Sequence, residues 1–141
     1  MQNKLRLCEL IEETKKFLPE DIQKCFRAKK ITNSERLQII YDIVIDLLPR
    51  ILGKSGVSTE RARAFMKKKP LVLRYLFIKV WYCIYWIENG GHNTFPDEKV
   101  TNEEIDKQYV LSASFFHGIL SEEKRVNESY VDLCKLLKKK I

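Results

Sequence analysis

Two histidines, His92 and His117, are the side chains of this chain best suited to acid–base chemistry near neutral pH. A catalytic site would need one of them beside a serine, a cysteine or a carboxylate in space. His117 follows residues 112–116 at the expected end of a helix, where the helix dipole favours a charged imidazole. His92 lies in a glycine-rich loop and is expected to be solvated. Neither setting indicates catalysis, so the sequence does not predict an enzyme.

Metal and nucleotide motifs are missing from the sequence. The four cysteines lie far apart, and neither a Cys-x2–4-Cys nor a His-x3–5-His pair occurs, so no zinc site is expected. Residues 53–56 lack the GxxxxGK[ST] order of a phosphate-binding loop. The sequence therefore predicts no metal and no cofactor. Reduced thiols that pack in the core are the simplest interpretation of Cys8, Cys25, Cys83 and Cys134.

Length and composition favour one helical domain. The chain has 141 residues, of which 45% are apolar, and only five glycines and four prolines. This predicts a single domain over residues 1–141 with one core, in the all-α class rather than a turn-rich β class. Near the N-terminus, charges are interspersed among the apolar residues, so no secretory signal is expected. With reduced cysteines, this predicts a cytoplasmic protein.

The positive charge of the chain is concentrated in its middle. The formal net charge is +7, and nine basic residues but only one acidic residue, Glu60, lie between Leu47 and Ile87. The rest of the chain holds 17 basic and 18 acidic residues and is close to neutral. Such a field attracts polyanions, so we expect nucleic acid or an acidic protein surface as the partner.

Residues 47–69 resemble a helix-turn-helix in outline. Gly56 supplies the small turn residue, Val57 follows it, and Ala62 and Phe65 are placed to face inward on a second helix. Pro49 lies inside the first helix and is expected to kink or interrupt it. An ordinary helical hairpin with a solvated basic face fits the same pattern. The predicted nucleic-acid contacts are Arg50, Lys54, Thr59, Arg61, Arg63, Lys67, Lys68 and Lys69.

Pro70 is expected to start a central apolar helix that runs from Leu71 to Glu88. An aliphatic stripe at helical spacing is predicted to face the core; it consists of Leu73, Phe77, Val80, Ile84 and Ile87. The segment is short for a membrane span and contains Arg74 and Lys79, each costing about 2.5–3.5 kcal/mol at the bilayer centre. No membrane span is therefore expected.

A second stripe on the same helix is aromatic and consists of Tyr75, Lys79, Tyr82 and Trp86. It is either packed inside the fold with its polar atoms hydrogen-bonded or a partner-binding face, for instance in a homodimer. The leading hypothesis is a small non-catalytic protein that binds nucleic acid through residues 47–69. The alternative is a protein-interaction or adaptor module that uses this aromatic stripe.

Other helices follow from capping signals and apolar spacing. Capping boxes at residues 32–35 and 101–104 each predict a helix start, and Ser58 or Thr59 is expected to cap the helix after the turn. The helix after Thr101 is predicted to bury Ile105, Tyr109, Ala113 and Phe116. With helices expected over residues 3–17, 19–30 and 121–140, the prediction is a bundle of six to seven helices around the central helix.

Overall fold

A computed structural model of the chain describes residues 14–16, 18–89, 97–116, 118–119 and 121–141, with the side chains of residues 97–100 left aside. These residues contain six helices and no strand, and residues 14–16 are also helical. Most of the predicted first helix, residues 3–17, lies outside this part. The helices are α1 (Glu20–Arg27), α2 (Asn33–Lys54), α3 (Thr59–Lys67), α4 (Leu71–Glu88), α5 (Asp97–Ala113) and α6 (Lys124–Leu137).

The apolar helix α4 lies at the centre of the bundle, as predicted. It packs against α1, α2, α5 and α6, so it is covered from several sides. Its aliphatic stripe is buried along its whole length, from Leu73 to Ile87. The all-α prediction and the central position of this helix are therefore confirmed. Within the described residues no single helix is long and apolar enough to cross a membrane; only α3 and α4 taken together would be, and they are bent by 85°.

Two of the predicted helix starts are confirmed by their hydrogen bonds. The Thr32 hydroxyl accepts from the Glu35 amide at 3.2 Å, and the Glu35 carboxylate accepts from the Thr32 amide at 3.2 Å. Ser58 caps α3 by accepting from the Arg61 amide at 3.3 Å. Pro49 does not interrupt α2, which continues to Lys54. The neighbouring Leu48 is fully buried, and this packing offsets the backbone hydrogen bond that proline cannot donate.

Helix α5 differs from its prediction in both its start and its buried face. It begins at Asp97, so the motif at residues 101–104 lies inside the helix. Ala113 is buried as predicted, but Ile105 and Phe116 are 64% and 72% exposed, and Tyr109 is also exposed. The side chains that face inward include Glu103 and Lys107. The prediction was wrong because polar partners required by α4 and α6, described below, decide which face of α5 is buried.

A left-handed glycine closes the turn between α2 and α3. Gly56 has φ +88°, its amide donates to the Gly53 carbonyl at 3.0 Å, and the Val57 amide donates to the Leu52 carbonyl at 3.1 Å. These two bonds form a Schellman motif, in which glycine is favoured because it has no Cβ to clash. The motif sets the direction in which α3 leaves α2.

We expect opposite effects from the same substitution at two neighbouring glycines. Gly56→Ala should lower the free energy of unfolding by about 1 kcal/mol, because alanine is strained at positive φ. Gly53→Ala should raise it by about 0.5–1 kcal/mol, because alanine is the better helix former. A Cβ at either position meets no atom within 4 Å, so steric clashes do not contribute to either effect. Urea denaturation measures both, and equal effects of the two changes would contradict the assigned turn.

Candidate functional site

Helix α3 is amphipathic and turns its basic residues to solvent. Ala62 and Met66, one turn apart, are fully buried against the fold. Arg61, Arg63 and Lys67 occupy other positions of this nine-residue helix and are all exposed. The inner face therefore attaches α3 to the bundle and leaves the cationic side chains free to meet a ligand.

Seven of the eight predicted nucleic-acid contacts are exposed, and Lys69 is half-buried. Arg50 pairs with Asp46 at 3.0 Å on the surface of α2, a contact with little effect on stability in water. Lys69 has φ 52°, in the left-handed region, directly before Pro70 begins the bend into α4. The predicted residues thus lie on the last turns of α2, on α3 and on the short segment that follows it.

Arg74, a further basic residue of the central stretch, has a structural role. Its guanidinium donates to the Lys69 carbonyl at 2.9 Å and to the Ser114 carbonyl at 2.7 Å. It also lies 3.9 Å from the centre of the Phe115 ring. These contacts tie the start of α4 to the end of α5, and burial lowers the pKa of Arg74. Arg74 is therefore committed to the fold.

The aromatic stripe of α4 is divided between the core and the edge of the bundle. Tyr82 and Trp86 are fully buried, so the stripe cannot serve as an open partner-binding face in this fold. Tyr75 and Lys79 are half-buried, and the Lys79 ammonium lies 4.7 Å from the centre of the Tyr75 ring. Two of the four predicted partner-binding residues, Tyr82 and Trp86, are therefore packing residues.

A buried carboxylate on α6 joins three helices. Asp132 accepts from the Trp81 indole at 2.9 Å, from Arg36 at 3.4 Å and from the Asn33 amide at 3.2 Å. Arg36 also pairs with Glu88 at 2.7 Å and lies 4.6 Å from the centre of the Trp81 ring. Asp132 and Arg36 are both buried. We call this set of α2, α4 and α6 side chains the Asp132 network.

A second buried carboxylate, Glu103 on α5, forms an equivalent centre on another side of the C-terminal half of α4. It accepts from the Trp86 indole and from Arg125 at 3.0 Å. Arg125 also donates to the Tyr85 hydroxyl at 2.7 Å and lies 4.0 Å from the centre of that ring. Burial raises the pKa of Glu103 to about 7, while its hydrogen bond with Trp86 and the nearby charges of Lys107 and Arg125 lower it.

Sequence reasoning missed both carboxylates and their arginine partners. An indole N–H requires an acceptor when it is buried, so Trp81 and Trp86 signalled that acceptors must exist. Nothing in the sequence identified them, because Asp132 is 51 residues from Trp81 and sits in an ordinary amphipathic pattern.

The part of the chain that is described shows no candidate metal site. Within it, no group of three or more His, Cys, Asp or Glu side chains is arranged to hold a metal ion. Both histidines, His92 and His117, and one of the cysteines, Cys8, lie outside this part. The thiol of Cys83 is fully buried, and burial raises its pKa to about 12, which keeps it protonated and unreactive.

The fold and its charged surface define an all-helical bundle with a cationic helix at one edge. Comparisons with protein-family models, with curated proteins and with solved structures find no match to the chain.

The raised pKa of Glu103 predicts how stability depends on pH. The folded protein holds a proton on Glu103 up to about pH 7, whereas the ordinary value is 4.5. Folding therefore takes up a proton between these values, and the contribution of Glu103 to stability is lost as the pH rises from about 4.5 through 7. Glu103→Gln, which cannot ionise, should flatten this decline in the free energy of unfolding.

Urea denaturation at several pH values measures the free energy of unfolding of the variant and of the wild type. In the difference between the two, the contributions of the other titrating groups cancel. Glu122→Gln, an exposed change of the same chemistry, is the matched control. Parallel pH profiles for Glu103→Gln and the wild type would show that folding does not raise the pKa of Glu103.

Proposed function

We propose that this protein is a non-catalytic, cytoplasmic binding protein that attaches to nucleic acid through the end of α2 and the outer face of α3. The observation that carries the proposal is that seven of the eight predicted contact residues are exposed while Ala62 and Met66 attach α3 to the bundle from behind. On α3, the positive charge of the contact residues is opposed only by Glu60.

The chemistry of such a site is electrostatic. Lysine and arginine side chains pair with phosphate oxygens, and each neutralised phosphate releases counterions from the nucleic acid. Arg61, Arg63 and Lys67 supply three such contacts from one short helix. Thr59, exposed in the first turn, is placed to hydrogen-bond a phosphate or a base edge.

An acidic protein surface would meet the same cations and is the alternative partner. We do not propose the aromatic stripe as the surface for such a partner, because Tyr82 and Trp86 are buried inside the bundle. Homodimer formation stays a prediction, which sedimentation at high salt would test.

We expect the combined change of Arg61, Arg63 and Lys67 to alanine to weaken binding to a labelled DNA duplex and to a labelled single-stranded RNA. Because up to three phosphate contacts are removed, the plot of log affinity against log salt should become shallower by about 2 to 3 units. Fluorescence anisotropy over a series of salt concentrations measures both effects.

A second triple variant, with Lys124, Lys135 and Lys138 changed to alanine, removes the same charge from exposed positions in and just after α6. It should keep most of the affinity and the steep salt dependence. Equal losses in the two triple variants would show that binding follows net charge and not the α3 surface. If the wild type binds neither probe at low salt, nucleic acid is not the partner.

A further inference from the structure

A cleft of about 670 Å³ opens where α1, α2, α4 and α6 meet, on the surface above the Asp132 network. None of its lining residues belongs to α3, so it is separate from the proposed nucleic-acid surface. Its volume lies in the range of small-molecule sites, which cover about 300–1,000 Å³. The polar atoms that remain available in its lining indicate what it can hold.

Three asparagines line the cleft, and all three have their amide nitrogens engaged by the protein. Asn89 donates to the Tyr85 carbonyl at 2.7 Å, Asn127 to the Ser121 carbonyl at 2.8 Å, and Asn33 to the Asp132 carboxylate at 3.2 Å. Each partner is an acceptor only, so the orientation of each amide is fixed. Each asparagine still has its amide oxygen, which accepts, and one further N–H, which donates.

The charged groups of the lining add acceptors in the same way. Glu88 uses one carboxylate oxygen for Arg36 and keeps the other. Glu128 is half-exposed, and its only ion pair within the described residues is a loose one with Lys124 at 3.7 Å. Arg36 is already neutralised by Glu88 and Asp132. The cleft therefore offers several oxygen acceptors.

Apolar and aromatic side chains complete the lining. Tyr85 and Val131 contribute ring and methyl surface, and Val131 is 49% exposed. Lys29 stands at the rim with an exposed, flexible side chain, which can turn its ammonium into solvent. The lining contains two basic residues and three acidic ones, Lys29 and Arg36 and Glu88, Glu128 and Asp132. Its formal charge is therefore −1, in a chain whose net charge is +7.

We propose that this cleft binds a small organic cation, with a guanidinium or ammonium group on a short alkyl chain. The N–H donors of such a ligand match the amide oxygens of Asn33, Asn89 and Asn127 and the carboxylates of Glu88 and Glu128. Its alkyl chain matches the Tyr85 and Val131 surface. An anionic ligand such as a nucleotide would meet the carboxylates of Glu88 and Glu128 and is disfavoured. The proposal does not depend on nucleic-acid binding.

Isothermal titration calorimetry with agmatine tests the proposal, with spermidine as a second cation and AMP as the anionic comparison. We expect saturable binding of agmatine and none of AMP. Glu128→Gln should weaken agmatine binding about fivefold, the size of one partly exposed ion pair. Glu122→Gln, an equally conservative change outside the cleft, should leave it unchanged, and circular dichroism checks that both variants remain folded.

Three results would overturn the proposal. One is the absence of saturable binding of either cation to folded wild-type protein. Another is an equal loss of affinity in Glu128→Gln and Glu122→Gln, which would indicate attraction by charge alone. The third is binding of AMP, which would assign the cleft to a nucleotide.

Discussion

The indole N–H groups of Trp81 and Trp86 are buried on the central helix, and each must keep a hydrogen-bond acceptor because an unpaired buried donor costs about 1–3 kcal/mol. The bundle supplies two carboxylates for them, Asp132 from α6 and Glu103 from α5. A buried carboxylate in turn requires cationic or polar partners, which Arg36 and Arg125 provide. These hydrogen bonds and ion pairs therefore tie α2, α5 and α6 to α4.

This requirement also sorts the basic residues of the chain into two groups. Arg36, Lys107 and Arg125 lie in or near the interior, where each is matched by a carboxylate. The basic residues of α3 face solvent, where α3 has only Glu60 to oppose them. The cations inside stabilise the arrangement of helices, whereas those outside remain available to bind a partner.

The sequence predicted those parts of the fold that depend on local chemistry. The capping box at Thr32, the cap at Ser58 and the aliphatic stripe of α4 each follow from residues within a few positions of one another. The extent of α5 and its buried face could not be predicted, because Glu103 faces inward for partners 17 and 22 residues away. An apolar pattern alone placed Ile105 inside, and the pairing of polar groups overrode it.

The candidate sites divide in the same way. Charge concentration along the chain was sufficient to identify the α3 surface, since exposed cations need no long-range partner to be recognised. The cleft could not be predicted, because it is formed by residues from four helices and depends on which atom of each asparagine is engaged. The aromatic stripe of α4 was identified correctly as a feature, but its use depends on Ser129 and Glu103, which cover Tyr82 and Trp86.

The most direct test of this account is the stability of an Asp132→Ala variant measured by urea denaturation. Removing the Asp132 carboxylate takes away the acceptor of the Trp81 indole and one of the ion-pair partners of Arg36 in the interior. We therefore expect the free energy of unfolding to fall by about 3–5 kcal/mol. Asp46→Ala breaks the exposed pair with Arg50 and should cost less than about 1 kcal/mol. A loss for Asp132→Ala as small as that for Asp46→Ala would contradict the claim that this carboxylate joins the helices.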